Sequence, residues 1–218
     1  MKENNFEKNN AWQRKVRDSI LIPAFYPQYA NDGHFCPADG GRQMARTVQA
    51  LGADTFVKDL NGHMLAVEEK IVEWPGYAYT AYFLETMSCT VPGYERDGWM
   101  AYGGADILLY CMVWPDRLVL DEMALAPLRD LYWREAHRFP VSTMKDRNRS
   151  RGSVVPIKFL RANGIKINRY HLYPDPSSEY FAELFPSQVG KEPERRQATV
   201  IMPAGSLFAE DGAMAEVR

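Results

Sequence analysis

The sequence lacks the features that would place a protein outside the cell or within a membrane. Its three cysteines, Cys36, Cys89 and Cys111, form neither the even set of a disulfide framework nor a CxxC pair. The longest apolar run covers residues 107–114, far short of the roughly 20 residues that cross a bilayer. Residues 1–17 are polar and contain no apolar segment of the signal-peptide type. These absences predict a cytoplasmic chain that does not enter a membrane.

Repeats and low-complexity tracts are also absent, whereas hydrophobic residues make up 46% of the 218-residue chain. That share supports a substantial core and argues against global disorder. We expect one domain over residues 1–173, with a core at about 39–114 and a basic helical flank at 121–173. Residues 174–218, which are rich in Pro, Glu, Arg and Ser, are expected to form a C-terminal appendage.

Charge of each sign is concentrated in one part of the chain, although the net charge is only −2. Residues 53–130 contain 13 acidic and 5 basic side chains, and residues 131–171 contain 2 acidic and 10 basic ones. This asymmetry favours a polyanionic partner, and the alternative is a solvated surface with charges sorted by chance. No base-reading motif accompanies the basic residues, so we expect them to contact phosphates. The residues predicted to bind nucleic acid are Arg147, Arg149, Arg151, Lys158 and Arg161.

A β-hairpin over residues 53–74 is the strongest local prediction. The pair Asn61-Gly62 lies between two alternating runs, and both residues tolerate the positive φ of a two-residue turn. Residues 39–51 are predicted to form a preceding helix, with Asp39 as its N-cap and Gly52 just past its end.

The hairpin carries side chains suited to a divalent cation. Asp54 stands at its entrance, and Glu68 and Lys70 lie two residues apart on its second strand. They therefore share one face of the strand while Glu69 points to the other. Carboxylates are preferred ligands of Mg²⁺, and an ammonium beside the metal can orient water and stabilise charge on a phosphate. These residue types together suit a hard cation held beside a phosphodiester.

The rest of the pattern predicts the α/β (α+β) class, with a mixed central sheet flanked by helices. Further strands are predicted at residues 79–88, which include Glu85, and at residues 105–114, a buried run that includes Asp106. The later elements are a short strand at 117–120, a helix at 121–139, a strand or turn entering a helix at 154–164, and a last strand at 165–173.

This order of helix, hairpin and buried strand, with Asp54 followed by Glu68-x-Lys70, resembles the restriction-endonuclease-like superfamily of PD-(D/E)XK nucleases. The resemblance covers residues 39–114, and small nucleases carried by phages and mobile elements have a similar series. The segments that strengthen it are QALGAD at 49–54, LETMS at 84–88, GW at 98–99 and ADILLY at 105–110.

The resemblance implies a Mg²⁺-dependent nuclease, with Mn²⁺ as a substitute, that hydrolyses phosphodiester bonds in DNA rather than RNA. It implies that Asp54 and Glu68 bind the metal through their carboxylates and that Glu69 binds it through its backbone carbonyl. Lys70 would lie near the attacking water and the scissile phosphate. A homodimer is kept as an alternative to a single copy.

The register of the hairpin decides which acid is the second ligand. A strict two-residue turn at Asn61-Gly62 sets Asp54 opposite Glu69, whereas the resemblance requires Glu68. Either a bulge or a longer loop shifts the register, or Glu69 is the ligand. We keep Glu68 and expect a break in the pairing.

Three other residues near the motif have roles that the sequence leaves open. Glu85 is either a buried carboxylate paired with a cation or an additional catalytic ligand or base. Asp106 either bonds to the backbone structurally or supports the site, and we favour the structural role. Trp99 is expected to anchor a loop or the core.

Many members of the superfamily carry another acid on the helix before the hairpin, and residues 42–51 contain none. Asp32, Asp39 or Gln49 is the substitute. The missing acid favours an alternative function, a catalytically inactive nuclease fold that binds nucleic acid or a partner protein. The complete acid, acid and lysine set of the hairpin favours an enzyme.

Overall fold

A computed structural model describes most of the chain, and the fold is given for those residues alone. They are residues 5–29, 34–35, 53–59, 61–73, 80–101, 104–144, 149–173, 177, 179–185 and 189. The predicted helix at residues 39–51 and most of the predicted appendage at 174–218 lie outside them.

The described residues form a mixed α+β protein with few helices. The helical segments are α1 (Asn5–Val16), a π-helical segment (Arg17–Phe25), a 3-10 turn (Tyr26–Gln28), α2 (Leu125–Glu135), a second 3-10 turn (Ala136–Arg138), α3 (Ile157–Ala162) and α4 (Phe181–Leu184). The strands are β1 (His34–Phe35), β2 (Thr55–Lys58), β3 (Met64–Glu73), β4 (Ala81–Cys89), β5 (Arg96–Asp97), β6 (Ile107–Val113), β7 (Leu118–Ala124), β8 (Val141–Thr143), β9 (Arg151–Pro156) and β10 (Asn168–Leu172). None of these helices is both long and apolar enough to cross a membrane.

Two sheets make up the fold. The central sheet has the order β1-β2-β3-β6-β7-β10, and it is mixed because β3 and β6 run parallel while the other neighbours run antiparallel. The second sheet has the order β5-β4-β9-β8 and is antiparallel. The predicted α+β class with a mixed central sheet is confirmed. The residues predicted as a third strand, 79–88, overlap β4 and belong to the second sheet instead of extending the hairpin.

The central sheet is covered on both faces, which explains why its middle strand β6 is apolar throughout. All residues of β6 are buried, and its alternate side chains enter two separate hydrophobic clusters. One face packs against residues 16–29 and is called here the N-terminal face. The other packs against the second sheet and α2 and is called the second-sheet face. On β3, Ala66 belongs to the second-sheet face and Val67 to the N-terminal face, so the residues that follow alternate between the two.

The β2–β3 hairpin has a longer loop than a strict Asn-Gly turn. The backbone N–H of Asp59 donates to the carbonyl of His63 at 2.9 Å, so three residues, 60–62, separate this pair. Gly62 takes a φ of +86°, which residues with a Cβ rarely adopt. The Asp59 carboxylate accepts the backbone N–H groups of Asn61 and His63 and so fixes the loop. A three-residue loop of this kind is common in hairpins.

The helix predicted at residues 121–139 begins later than expected, because the preceding strand is longer. β7 continues to Ala124, and α2 begins at Leu125. Asp121 and Glu122 are therefore strand residues, and they are 0% and 1% exposed. After β7, the part of the chain predicted as a basic helical flank contains α2, the second 3-10 turn, β8, β9, α3 and β10, so it combines helices with strands.

The two buried acids of β7 are held by hydrogen-bond donors from distant parts of the chain. Burial of a carboxylate is costly unless donors replace its water, and the apolar pattern of a strand does not reveal such donors. The Asp121 carboxylate accepts bonds of 2.5–2.7 Å from Tyr82 and Arg169. The Glu122 carboxylate accepts bonds of 2.6–3.3 Å from Tyr29, Asn168 and Tyr170.

A close approach of β4 and β9 fixes the backbone around Glu85. A Cβ at Gly152 would lie 2.3 Å from the carbonyl oxygen of Leu84. One position further on, the pairing shifts between Glu85 and Met87, where β4 contains one residue more than β9. Such a bulge changes the direction of the neighbouring side chains.

We expect Gly152→Ala to lower the free energy of unfolding by about 1–3 kcal/mol, because the added methyl group forces β4 and β9 apart. Urea unfolding measures the change. Val154→Ala serves as the control, since this exposed residue lies on the same strand and its loss should change stability by about 0.5 kcal/mol. Equal stabilities of the two variants would contradict the close packing.

Candidate active site

An ion pair on β3 lies at the centre of the candidate site. Lys70 Nζ is 2.7 Å from Glu68 Oε1, and the two side chains are 30% and 8% exposed. The pair therefore lies at the edge of the buried region, with the lysine on the solvent side. Lys70 Nζ is also 5.5 Å from the centre of the Trp99 ring, which places the ammonium within reach of a cation–π interaction.

Asp54 faces this pair from the beginning of the neighbouring strand. Its backbone N–H donates to the carbonyl of Val67 at 2.8 Å, and regular pairing begins with Thr55 opposite Val67. Asp54 precedes the paired residues of β2, so its place is set by this bond and by its own side chain. Asp54 Oδ2 also accepts the backbone N–H of Glu69 at 2.9 Å. The carboxylate of Asp54 is thereby held against β3.

The three-residue hairpin loop produces this register. A two-residue turn sets Asp54 opposite Glu69, and one additional loop residue shifts the register of β2 and β3 by one position. The pairing from Thr55 to Lys58 is uninterrupted, and Asp54 lies just before it. Of the alternatives open at the sequence level, the longer loop is the one observed.

Glu85 approaches the same region from the second sheet. Its backbone carbonyl accepts the N–H of Met100 at 3.0 Å, and its charge raises the pKa of both Glu68 and Lys70. The carboxyl groups of Glu68, Asp54 and Glu85, from three different parts of the chain, therefore all raise the pKa of Lys70. The fold thus brings together the four residues predicted to be catalytic: Asp54, Glu68, Lys70 and Glu85.

Burial raises the pKa of Glu68 from 4.5 to about 7. The charges of Asp54 and Glu85 add to this effect, and the ammonium of Lys70 opposes it. Burial acts in the opposite sense on Lys70, but the charges of the three carboxylates outweigh it and raise the lysine pKa above its ordinary value. At neutral pH the cluster therefore contains a charged lysine beside an acid that is only partly ionised.

The carboxylate of Glu69 points to the N-terminal face, away from this cluster. Arg17 Nε donates to it at 2.6 Å, Thr55 Oγ1 at 2.8 Å, and the Tyr26 hydroxyl donates as well. With a side chain that is 1% exposed and bound by these donors, Glu69 is a structural acid on that face. Its backbone, by contrast, borders the cluster through the bond to Asp54.

Asp106 ties three elements together at the start of β6. Its carboxylate accepts the N–H of Ala66 at 2.8 Å, and its own N–H donates to the carbonyl of Ala66 at 2.8 Å. Its carbonyl accepts the N–H of Leu125, the first residue of α2, at 2.8 Å. These bonds correspond to the structural role that the sequence analysis favours for this residue.

A short loop at residues 98–101 lies beside Lys70. Trp99 in this loop is 3% exposed and packs in the hydrophobic core of the second-sheet face. Helix α2 holds the loop by two hydrogen bonds, from Arg129 Nη2 to the carbonyl of Trp99 at 2.6 Å and from Trp133 Nε1 to the carbonyl of Met100 at 3.2 Å.

Arg129 is a charged residue near the cluster that the sequence analysis did not single out. Burial lowers the pKa of its guanidinium, and the charge of Glu68 opposes that shift. The residue lies within the acidic part of the chain and in no motif, so neither charge distribution nor spacing indicates it. Its place one turn into α2, a helix fixed to Asp106, is visible only in the fold.

Four of the residues predicted to bind nucleic acid are exposed around β9. The backbone carbonyl of Arg149 accepts the hydroxyl of Thr90 at 2.8 Å, and that of Arg151 accepts the hydroxyl of Thr86 at 3.2 Å. These bonds place the two arginines near the end of β4. Lys158 and Arg161 lie on α3, beyond the other end of β9. The four residues are Arg149, Arg151, Lys158 and Arg161.

Two residues of the predicted site, Gln49 and Arg147, lie outside the residues that the structure describes. The same holds for Asp32 and Asp39, the other substitutes for the missing helix acid. Their predicted roles stay predictions.

The cluster offers oxygen ligands of the type that Mg²⁺ prefers. Within the described parts of the chain, no three or more His, Cys, Asp and Glu side chains are grouped closely enough to hold a metal ion. The carboxylate of Asp54, however, is bound to the backbone of β3 next to Glu68, and its charge raises the pKa of Glu68. A divalent cation would relieve that repulsion. Since Mg²⁺ commonly takes one or two carboxylates and retains several waters, this pair is a fitting donor set.

No protein-family model, curated protein or solved structure matches the chain. The fold and the cluster alone therefore define its class: a mixed α+β protein with an acidic cluster around one lysine.

The raised pKa of Glu68 gives the metal-free protein a specific pH dependence of stability. The folded state retains a proton between pH 4.5 and about 7 that the unfolded chain has released. Stability that is fully present below pH 4.5 is therefore lost as the pH rises through 7. Relative to Glu68→Gln, we expect the free energy of unfolding of the wild type to fall by about 1–3 kcal/mol between pH 5 and pH 8.

Urea unfolding in the presence of EDTA measures this difference. Glu73→Gln is the matched control, because Glu73 is exposed on the same strand, and its pH profile should follow that of the wild type. Parallel profiles of the wild type and Glu68→Gln would contradict the raised pKa.

Proposed function

We propose that this chain is a metal-dependent nuclease with a restriction-endonuclease-like core that hydrolyses phosphodiester bonds in DNA. The observation that carries the proposal is the arrangement on β3, where Lys70 pairs with Glu68 at 2.7 Å and Asp54 is held against the same strand. Two acids and an ammonium on one face of a sheet are suited to metal-assisted attack of water on a phosphodiester.

The surrounding fold supports this class. β2 and β3 form a hairpin, and β3, which carries the acid and the lysine, pairs in parallel with the buried β6. This hairpin and buried strand are the elements on which the resemblance to PD-(D/E)XK nucleases rests. The covered N-terminal face makes β3 a rigid support for the side chains on the other face.

In the proposed enzyme, the carboxylates of Asp54 and Glu68 and the backbone carbonyl of Glu69 hold the metal. Mg²⁺, or Mn²⁺ in its place, supplies positive charge at the phosphoryl oxygen and a bound water of lowered pKa. The N–H of Glu69 fixes Asp54, and Arg17 and Thr55 fix Glu69 from the other face. The ligands are therefore positioned before the metal binds.

Lys70 has the charge that the reaction requires. The neighbouring carboxylates raise the pKa of its ammonium, so it stays protonated throughout the physiological range. It can therefore orient the attacking water and stabilise the negative charge that develops on the phosphate. Glu85, which acts on both Lys70 and Glu68, is proposed as an additional ligand or base.

The exposed basic residues around β9 provide contacts to the DNA backbone in this proposal. β9 contains six residues and is therefore about 20 Å long, which separates the arginines at its start from the basic residues of α3. Contacts of this type increase affinity and make it salt-dependent without selecting a sequence.

One observation favours a second candidate function, a nuclease-like fold that binds nucleic acid or a partner protein without cleaving. The residues described provide no group of three metal-binding side chains, and Lys70 already neutralises part of the charge of Glu68. In that case the ion pair only stabilises the fold, and the exposed basic residues carry the binding.

Incubation of purified protein with plasmid DNA and Mg²⁺ or Mn²⁺ tests the proposal. We expect cleavage by the wild type, and a loss of about 100-fold or more in Lys70→Ala because charge on the phosphate is no longer stabilised. Lys15→Ala is the control, since Lys15 pairs with Glu183 on the N-terminal face, and it should cleave like the wild type.

Equal cleavage by Lys70→Ala and the wild type would reject the assigned role of Lys70. DNA binding by the wild type without metal-dependent cleavage would favour the second candidate function.

A further inference from the structure

Helix α2 places a second cation, Arg129, next to the cluster on β3. The helix is fixed to the central sheet at its first residue, because the N–H of Leu125 donates to the carbonyl of Asp106. Asp106 in turn exchanges two bonds of 2.8 Å with Ala66, two residues before Glu68 on the same face of β3. Arg129, one turn after Leu125, therefore has a defined position relative to the acids.

Both cations lie close to Trp99. Arg129 Nη2 donates to its carbonyl at 2.6 Å, and Lys70 Nζ lies 5.5 Å from the centre of its ring. Arg129 is half-buried, and its charge interacts with that of Glu68. Both cations thus border the same loop residue and act on the same acid.

The balance of charge suits an anion once a divalent ion is bound. Among the residues that the structure describes here, the three carboxylates of Asp54, Glu68 and Glu85 exceed the two cations, Lys70 and Arg129, by one charge when all are ionised. A divalent cation reverses this sign and leaves one net positive charge in a partly buried site, where charge interactions are stronger than in water. Arg129 is necessary for this reversal, since without it the site becomes neutral.

We propose that Arg129 binds a non-bridging oxygen of the DNA phosphodiester at this site, beside Trp99. The inference rests on the proposed nuclease function and adds a substrate-binding residue to it. A guanidinium is planar with N–H groups on several edges, so it can hold a carbonyl with one edge and contact a phosphate with another.

The salt dependence of DNA binding tests this role. Affinity for a fluorescein-labelled duplex is measured by fluorescence anisotropy at several KCl concentrations, with Ca²⁺ as the cation and a gel to verify that the duplex stays intact. We expect Arg129→Gln to weaken binding about 5- to 10-fold and to reduce the slope of log K against log salt by about one. Arg129→Lys, which retains the charge, should keep the slope and lose about threefold in affinity.

Arg14→Gln is the matched control, because Arg14 is an exposed arginine near the end of α1, the helix that leads into the N-terminal face. It should leave the slope unchanged. Weaker binding by Arg129→Gln with an unchanged slope would show that Arg129 only holds the loop at 98–101, and this would overturn the proposal. Circular dichroism verifies that each variant is folded. If Arg129→Gln is unfolded, the affinity of Arg129→Lys tests the proposal instead. An affinity equal to that of the wild type in Arg129→Lys would overturn the proposal.

The outcomes also separate this inference from the proposed function. A wild type that shows no salt-dependent binding to the duplex would overturn both. A wild type that binds and cleaves, with a slope that Arg129→Gln does not change, would overturn the role of Arg129 alone.

Discussion

The ion pair between Glu68 and Lys70 is the interaction on which the candidate site depends. Burial of an isolated carboxylate costs several kcal/mol, on the order expected for a desolvated ion, unless a cation compensates for the lost water. Lys70 compensates only in part, since the pKa of Glu68 is still raised to about 7. A carboxyl group in this state gains from any further positive charge, and the Lys70 side chain beside it is 30% exposed. The incomplete compensation of the Glu68 charge therefore lowers the stability of the fold and favours the binding of a divalent ion.

Strand β3 separates two kinds of buried acid. Glu68 faces a lysine and two further carboxylates, whereas the adjacent Glu69 faces an arginine, a tyrosine and a threonine that donate to it. Glu122 on β7 resembles Glu69 in this respect, because tyrosine hydroxyls and an amide bind its oxygens. Acids whose oxygens are occupied by donors stabilise the packing of the N-terminal face. Glu68, with like charges around it, is instead the acid suited to a ligand.

Much of the site follows from local sequence rules, and the remainder depends on contacts between distant segments. Strand alternation places Glu68 and Lys70 on one face and Glu69 on the other, as observed. The register of β2 and β3 depends on Asp59, whose carboxylate fixes a three-residue loop. The length of β7 was not predictable, because donors from distant parts of the chain permit burial of its two acids. The position of Arg129 was not predictable either, because α2 is placed by backbone hydrogen bonds through Asp106.

Calorimetric titration of the metal-free protein with Mn²⁺ measures whether Asp54 and Glu68 hold a divalent ion. We expect a saturable heat of binding that Asp54→Ala abolishes and that Glu73→Gln, at an exposed position of β3, leaves unchanged. A titration without binding heat, or one that Asp54→Ala does not alter, would contradict it.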